Sequence, residues 1–317
     1  MTRPAALRPD AAARLAAALP DCLAGNDARH RLAVLGDLWP GGATGQILEL
    51  RLDGAGAVVD ASQAFLPEAL PDLHEVARSD PRLARVSECL SWAATAGQPR
   101  SLWLEWDLPE GQGPGTAGPS LFLAPPTSPP ADLDRFFSQA LRTLGAGPLD
   151  RNLDRVLQNL PPGTALRQLG VMVARPVPIV RLVLDTRTRA GAEAVIKALC
   201  PDLRGAVSKL FALPGFSASP RLDLDLTTDG IGRRLSLELP SQAIPDAAMS
   251  DCLARLSAKG VVHPRAAHAL AFCAIWRGLD PHSTCGLSHL KATIDPEGRI
   301  DLKAYIGLVA VPALILT

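Results

Sequence analysis

Five times along this chain, two segments of helical periodicity are followed by two of strand alternation. The helical pattern is clear at Leu15, Ala18, Leu19 and Cys22, and again at Leu133, Phe136, Phe137, Ala140 and Leu141. Both follow the spacing that gathers apolar groups on one face of a helix. The strand pattern is clear at residues 101–108, where Leu102, Leu104, Trp106 and Leu108 alternate with Trp103, Glu105 and Asp107. The first strands begin near residues 47, 102, 166, 221 and 288, and the units span 10–65, 67–124, 130–185, 189–239 and 245–308. Only the pattern recurs; the residues do not.

This recurrence leaves few folds. Short turns, such as those at Asp53-Gly54, Arg175-Pro176 and Asp229-Gly230, make consecutive strands antiparallel. The Gly/Pro-rich connection 109–119 is long for a hairpin. Ten helices are enough to cover one face of a ten-stranded sheet, and that face is aliphatic. The other face is mixed and polar. Such a sheet removes its exposed edges by closing, with the polar face inward around a lumen wide enough for a ligand. The expected fold is therefore α+β: five ααββ repeats forming one domain over 1–317, a ten-stranded antiparallel barrel surrounded by helices. An open sheet with its polar face in water, serving an interaction protein, is the alternative.

Composition narrows the function. Lys+Arg and Asp+Glu number 32 each, without the basic excess of a nonspecific nucleic-acid binder, so no nucleic-acid partner is expected. No apolar run reaches membrane-spanning length, and the N-terminus lacks the apolar centre of a secretory signal. Six scattered cysteines without a CxxC pair fit reduced thiols and a cytoplasmic location. No P-loop, dinucleotide fingerprint, GxSxG or HExxH is present. His263 and His268 lie five apart and do not share a helix face, His282 falls in a loop, and Cys273 and Trp276 read as helix packing.

The last hairpin, Ser288 to Leu308, carries the most specific pattern: SHLKATIDPEGRIDLKAYIGL. His289, Lys291 and Thr293 share one face of its first strand, and Lys303 and Tyr305 share a face of the second. This hairpin resembles the closing hairpin of the cyanobactin-type peptide prenyltransferases, and the five-unit architecture resembles the ABBA, or PT-barrel, prenyltransferases as a group. The acidic first strand ILELRL adds a weaker match. The resemblance implies transfer of a dimethylallyl or similar group from its diphosphate to a peptide side chain or small aromatic acceptor, as in peptide maturation. It implies that basic lumen side chains, here Arg181, Arg221, Lys291 and Lys303 with Tyr305, hold the diphosphate. It also implies that Glu49 orients the acceptor and takes its proton.

The residues themselves leave alternatives. The four cations can neutralise a diphosphate leaving group, or simply pair with Asp223, Asp225 and Glu238. Glu49 can be a base, or the ion-pair partner of Arg51 or of a cation on a neighbouring strand. Trp103, Glu105, Asp223, Asp225, Glu238 and His289 complete the polar face as candidate acceptor-side lumen residues. No cofactor is required and no metal site is assigned, although the extra carboxylates leave recruitment of Mg²⁺ or of a cationic acceptor open. Aromatics make up 4% of the chain and Tyr305 is its one tyrosine, whereas an allylic cation is best shielded by π faces. That scarcity favours a second reading, a non-catalytic barrel that binds a ligand or peptide in a charged lumen.

Overall fold

A computed structural model describes residues 6–97, 99–108, 118–126, 130–172, 179–218, 221–243, 246–273 and 283–310. Ten strands close into one barrel in the order β1-β10-β9-β8-β7-β6-β5-β4-β3-β2, every neighbouring pair antiparallel. The strands are β1 (Gly45–Arg51), β2 (Val58–Phe65), β3 (Ser101–Asp107), β4 (Ser120–Ala124), β5 (Ala165–Val171), β6 (Val180–Asp185), β7 (Arg221–Thr227), β8 (Gly230–Pro240), β9 (Ser283–Ile294) and β10 (Ile300–Ala310). The helices preceding each pair are α1 (Ala11–Ala18) and α2 (Asn26–Leu38), α3 (Leu70–Ser79) and α4 (Ala84–Ala96), α5 (Pro130–Thr143) and α6 (Asp150–Gln158), α7 (Arg189–Leu199) and α8 (Arg204–Phe211), and α9 (Asp246–Ala258) and α10 (Pro264–Cys273). The expected ααββ order and closure are both present.

Local chemistry explains several of the boundaries. The Thr188 hydroxyl accepts from the Gly191 amide at 3.1 Å and so caps α7. Pro264 opens α10, where its missing N–H costs nothing. Asn152 on α6 donates to the carbonyls of Thr227 and Thr228, holding the β7–β8 turn to the helix layer.

The core lies between barrel and helices. Leu48, Leu104, Leu182, Leu224, Leu237 and Leu290 point outward from the barrel and are fully buried against side chains such as Leu15, Leu73, Phe137, Ile196 and Leu270. Because residues directly opposite in a ladder share a face, the alternate set faces the lumen. The barrel shuts at the pairing of the first and last strands, from Gly45 opposite Val309 to Arg51 opposite Lys303.

The structure corrects the last hairpin in one respect. Strand β9 begins at Ser283, five residues before the alternation is legible. Tyr305 pairs with His289 and Ile306 with Leu287, so Ser288 is left over as a bulge. The bulge puts Leu287 and Leu290, three apart, on the same apolar side and breaks the period of two. The Arg175-Pro176 turn, most of the 109–119 connection, Trp276 and His282 lie outside the described residues.

Candidate active site in the barrel lumen

The ladder brings the expected residues together. Glu49 on β1 stands opposite Tyr305 on β10, which stands opposite His289 on β9. Lys303 is opposite Lys291, and Lys291 opposite Glu238, which faces Arg221 on β7. Arg181 on β6 is opposite Asp225, with Asp223 two residues along β7. Trp103 and Glu105 project from β3 into the same lumen.

Glu49 is 4% exposed and fully engaged. Lys303 Nζ donates to one carboxylate oxygen at 2.5 Å, and the Tyr305 hydroxyl donates to the other. Of the two ion-pair alternatives for Glu49, the one with a cation on a neighbouring strand is made, through Lys303, while Arg51 is exposed at the end of β1. Burial opposes ionisation of Glu49, but Lys303, Lys291 and the two hydrogen bonds outweigh it and bring the carboxyl down to about 2. The same burial, with Glu49 and Glu105 nearby, holds the Tyr305 phenol well above its usual range. The Tyr305 ring stacks on His289 with centroids 4.0 Å apart and planes 15° from parallel. Lys291 Nζ lies 5.9 Å from the centre of the same ring. Burial first, then Lys291 and Arg221, press His289 down to about 3, so it is neutral at pH 7.

Each of the four cations has a carboxylate beside it. Arg181 grips Asp225 through two nitrogens at 2.8 and 3.3 Å. Lys291 pairs with Asp223. Around Glu238 stand Arg221 at 3.6 Å, His289 at 3.7 Å and Lys291 at 3.8 Å, all beyond good hydrogen-bond length. Burial and the Glu238 charge push Asp223 up to about 6 although Lys291 pulls the other way. Despite burial, Arg181 holds Asp225 below the usual carboxylate range, and Asp223 with its acidic neighbours keeps the Lys291 ammonium protonated.

Asp60 and Phe122 are among the lumen residues that escaped the sequence reading. Asp60 on β2 is opposite both Glu49 and Asp107. It was hidden because Gln63 carries a polar group on the opposite, helix-facing side, where it donates to the Pro40 carbonyl at 3.2 Å and blurs the alternation. Phe122 on β4 faces Trp103 on one side and Gly170 on the other. It was hidden because β4, SLFLA, is apolar on both faces. Its ring lies where a Cβ on Gly170 would sit, 2.3 Å from that position. The lumen thus has a π surface at Trp103 and Phe122 besides Tyr305 and His289.

Asp60, Glu105 and Asp107 bring carboxylate oxygens within 4.8 Å of one another. Burial first, then Glu49, raises the carboxyl of Asp60 well above its usual range, and burial with Glu49 raises Glu105 to about 7. Asp60 therefore keeps its proton at neutral pH, and Glu105 is divided between its two forms. Glu49, the neighbouring carboxylate that could complete a harder oxygen shell, is already taken by Lys303 and Tyr305. Mg²⁺ keeps several waters and binds through as few as one or two carboxylates, so the geometry of the trio by itself assigns no resident metal.

No protein-family model matches the chain, and no curated protein does. Solved structures match across nearly its whole length. A 6-dimethylallyltryptophan synthase from Micromonospora olivasterospora, in complex with DMASPP and Trp, superposes with a TM-score of 0.63 at 15% identity, covering 95% of this chain and 96% of that one. The prenyltransferase PriB, in a ternary complex with L-tryptophan and dimethylallyl thiolodiphosphate, gives 0.57 at 16%, with 97% of each chain covered. The NotF prenyltransferase gives 0.53 at 8%, covering 87% and 88%. The chain thus has the fold of the PT-barrel prenyltransferases.

Proposed function

We propose that this protein is a prenyltransferase that moves a dimethylallyl or similar isoprenoid group from its diphosphate to an acceptor held in the lumen. The observation that carries the reading is the convergence of Arg181, Arg221, Lys291 and Lys303, from four strands of a closed barrel, around the stacked Tyr305–His289 pair. The protein works as one barrel domain over residues 1–317, in the cytoplasm. Among the described residues, no helix is long and apolar enough to cross a membrane.

Each role follows from chemistry. As the allylic C–O bond breaks, negative charge grows on the leaving diphosphate, and cations already fixed in a dry lumen stabilise that change most. Glu238 lies 3.6 Å from Arg221 and 3.8 Å from Lys291, and Lys291 is also held by Asp223. Phosphate oxygens approaching Arg221 and Lys291 would compete with these carboxylates through charge-assisted bonds of their own. Lys303 and Tyr305, fixed by Glu49, border the same space. The π faces of Tyr305, His289, Trp103 and Phe122 shield the developing cation and answer the low aromatic content of the chain. The acceptor lies toward Trp103, Glu105, Asp223, Asp225, Glu238 and His289. It is a small aromatic compound, as in the tryptophan complexes of similar fold, or a peptide side chain, as the closing hairpin's likeness to cyanobactin-type enzymes suggests.

The second reading, a barrel that binds without catalysing, draws on one fact: both oxygens of Glu49 are occupied. Calorimetric titration with dimethylallyl thiolodiphosphate, in EDTA and in Mg²⁺, separates the two. Saturable binding of one molecule per chain, unaffected by EDTA, is expected; absence of binding in both conditions would sink the prenyltransferase reading.

A further inference from the structure

The carboxylate best placed by sequence to take a proton is poorly placed to do so in the fold. Glu49 accepts from Lys303 and Tyr305 on its two oxygens. Its carboxyl, at about 2 because Lys303 and Lys291 overcome burial, binds a proton weakly at neutral pH. Glu105 differs on each point. It sits in the middle of β3, with uncharged Ser62 and Ser120 opposite it on β2 and β4. Among the described residues, no hydrogen bond and no ion pair occupies its carboxylate. It keeps some exposure, and Trp103 offers a π face two residues away on the same side.

Charges face Glu105 from every side of the lumen: Glu49 on β1, Asp60 on β2, Asp107 on its own strand, Arg181 on β6 and Lys291 on β9, while Lys303 on β10 acts on Asp60. Burial, then Glu49, dominates that balance and leaves Glu105 at about 7, within reach of a proton-transfer partner at working pH.

We propose that Glu105, not Glu49, receives the proton displaced from the acceptor. The inference rests on the prenyl-transfer reading above. The allylic C–O bond breaks and its electron pair leaves with the diphosphate. The acceptor forms a new bond to the allylic carbon, and the proton it loses passes to the Glu105 carboxylate. Glu49 is then a positioning residue that fixes Lys303 and Tyr305.

The test uses the full chain, dimethylallyl diphosphate, and a panel of one indole, one phenol and one amine; release of dimethylallyl alcohol reports water as the acceptor. The wild-type rate should rise with pH through about 7 to a plateau. Glu105→Gln, of nearly the same shape, should lower kcat roughly 100-fold and flatten that rise, with affinity for dimethylallyl thiolodiphosphate within about twofold of wild type. Glu105→Asp should restore part of kcat with the rise displaced. Glu49→Gln should keep the rise but move it to lower pH, because it removes the charge that helps hold Glu105 up, while disturbing Lys303 and Tyr305. The proposal is overturned if Glu49→Gln flattens the profile and Glu105→Gln retains it. It is also overturned if Glu105→Gln loses diphosphate affinity and melting temperature together, which marks a structural role. If wild type binds no allylic diphosphate, the prenyl-transfer reading falls and takes the proposal with it; the titration distinguishes that failure from the others.

Discussion

At the scale of single residues, the lumen is a set of charges that hold one another. Each cation expected to bind a diphosphate is partnered by a carboxylate, so ligand binding exchanges partners rather than filling vacancies. That has a measurable consequence at Lys303 and Arg221. Replacing either with Ala removes a charge-assisted contact to the diphosphate and should weaken dimethylallyl thiolodiphosphate binding about 10- to 100-fold. Unchanged affinity in calorimetry would move the site elsewhere in the lumen. Lys303→Ala has a second effect, because it leaves Glu49, 4% exposed, without its ion-pair partner and with the Tyr305 hydroxyl bond alone. An unpaired buried charge costs roughly 3 kcal/mol or more. The double variant Lys303→Ala/Glu49→Gln should therefore recover thermal stability without recovering diphosphate affinity. The basic residues were legible because they alternate with Leu along their strands; their pairing was not, since which carboxylate meets which cation is set by register across strands far apart in sequence.

Elements show the same division. The ladder of five hairpins could be read from periodicity because each strand contrasts an aliphatic face with a polar one. The reading failed where that contrast failed: at the Ser288 bulge, at Gln63, and at β4. Phe122 is the most consequential miss, since its ring depends on a glycine one strand away. Gly170 stands between Phe122 on β4 and Arg181 on β6. A Cβ there would meet Phe122 Cε1 at 2.3 Å, so Gly170→Ala must swing the ring off the wall and into the lumen. Overpacking of this kind costs roughly 1–3 kcal/mol. Equilibrium urea unfolding should show the loss, and adding Phe122→Leu should recover most of it; a Gly170→Ala protein as stable as wild type would mean the ring has other room. The closing seam is braced outside the barrel as well. The His263 amide donates to the Leu52 carbonyl at 2.8 Å, and Gly54, at a φ of +83°, leaves space for the His263 ring. First and last units are thereby locked at the turn beside the β1–β10 pairing.

Across the whole molecule, enclosing so many acids makes stability depend on pH in a way the balanced composition hides. Glu105, raised by burial and Glu49 from 4.5 to about 7, and Asp223, raised by burial and Glu238 from 3.8 to about 6, each keep a proton in the fold that the unfolded chain has already lost. Raising the pH through that window therefore destabilises the fold, by up to a few kcal/mol per group. Two other groups act at the acid end. Glu49 is lowered to about 2, since Lys303 and Lys291 outweigh burial, so its stabilisation is lost as pH falls below 4.5. His289 is lowered to about 3 by burial and Lys291, so the unfolded chain gains a proton the fold refuses as pH falls below 6.5. Together with Asp60, which acts in the same direction as Glu105 and Asp223, these limits place the most stable pH on the acid side of neutrality. Melting temperatures across pH 4 to 9 should peak there and fall by several degrees toward pH 8. Glu105→Gln removes one of the groups responsible, with Asp60 and Asp223, for the alkaline fall, so its curve should be flatter between pH 5 and 8. A wild-type protein that melts higher at pH 8 than at pH 6 would contradict the enclosed, proton-retaining lumen, and with it the electrostatic environment assigned to Glu105.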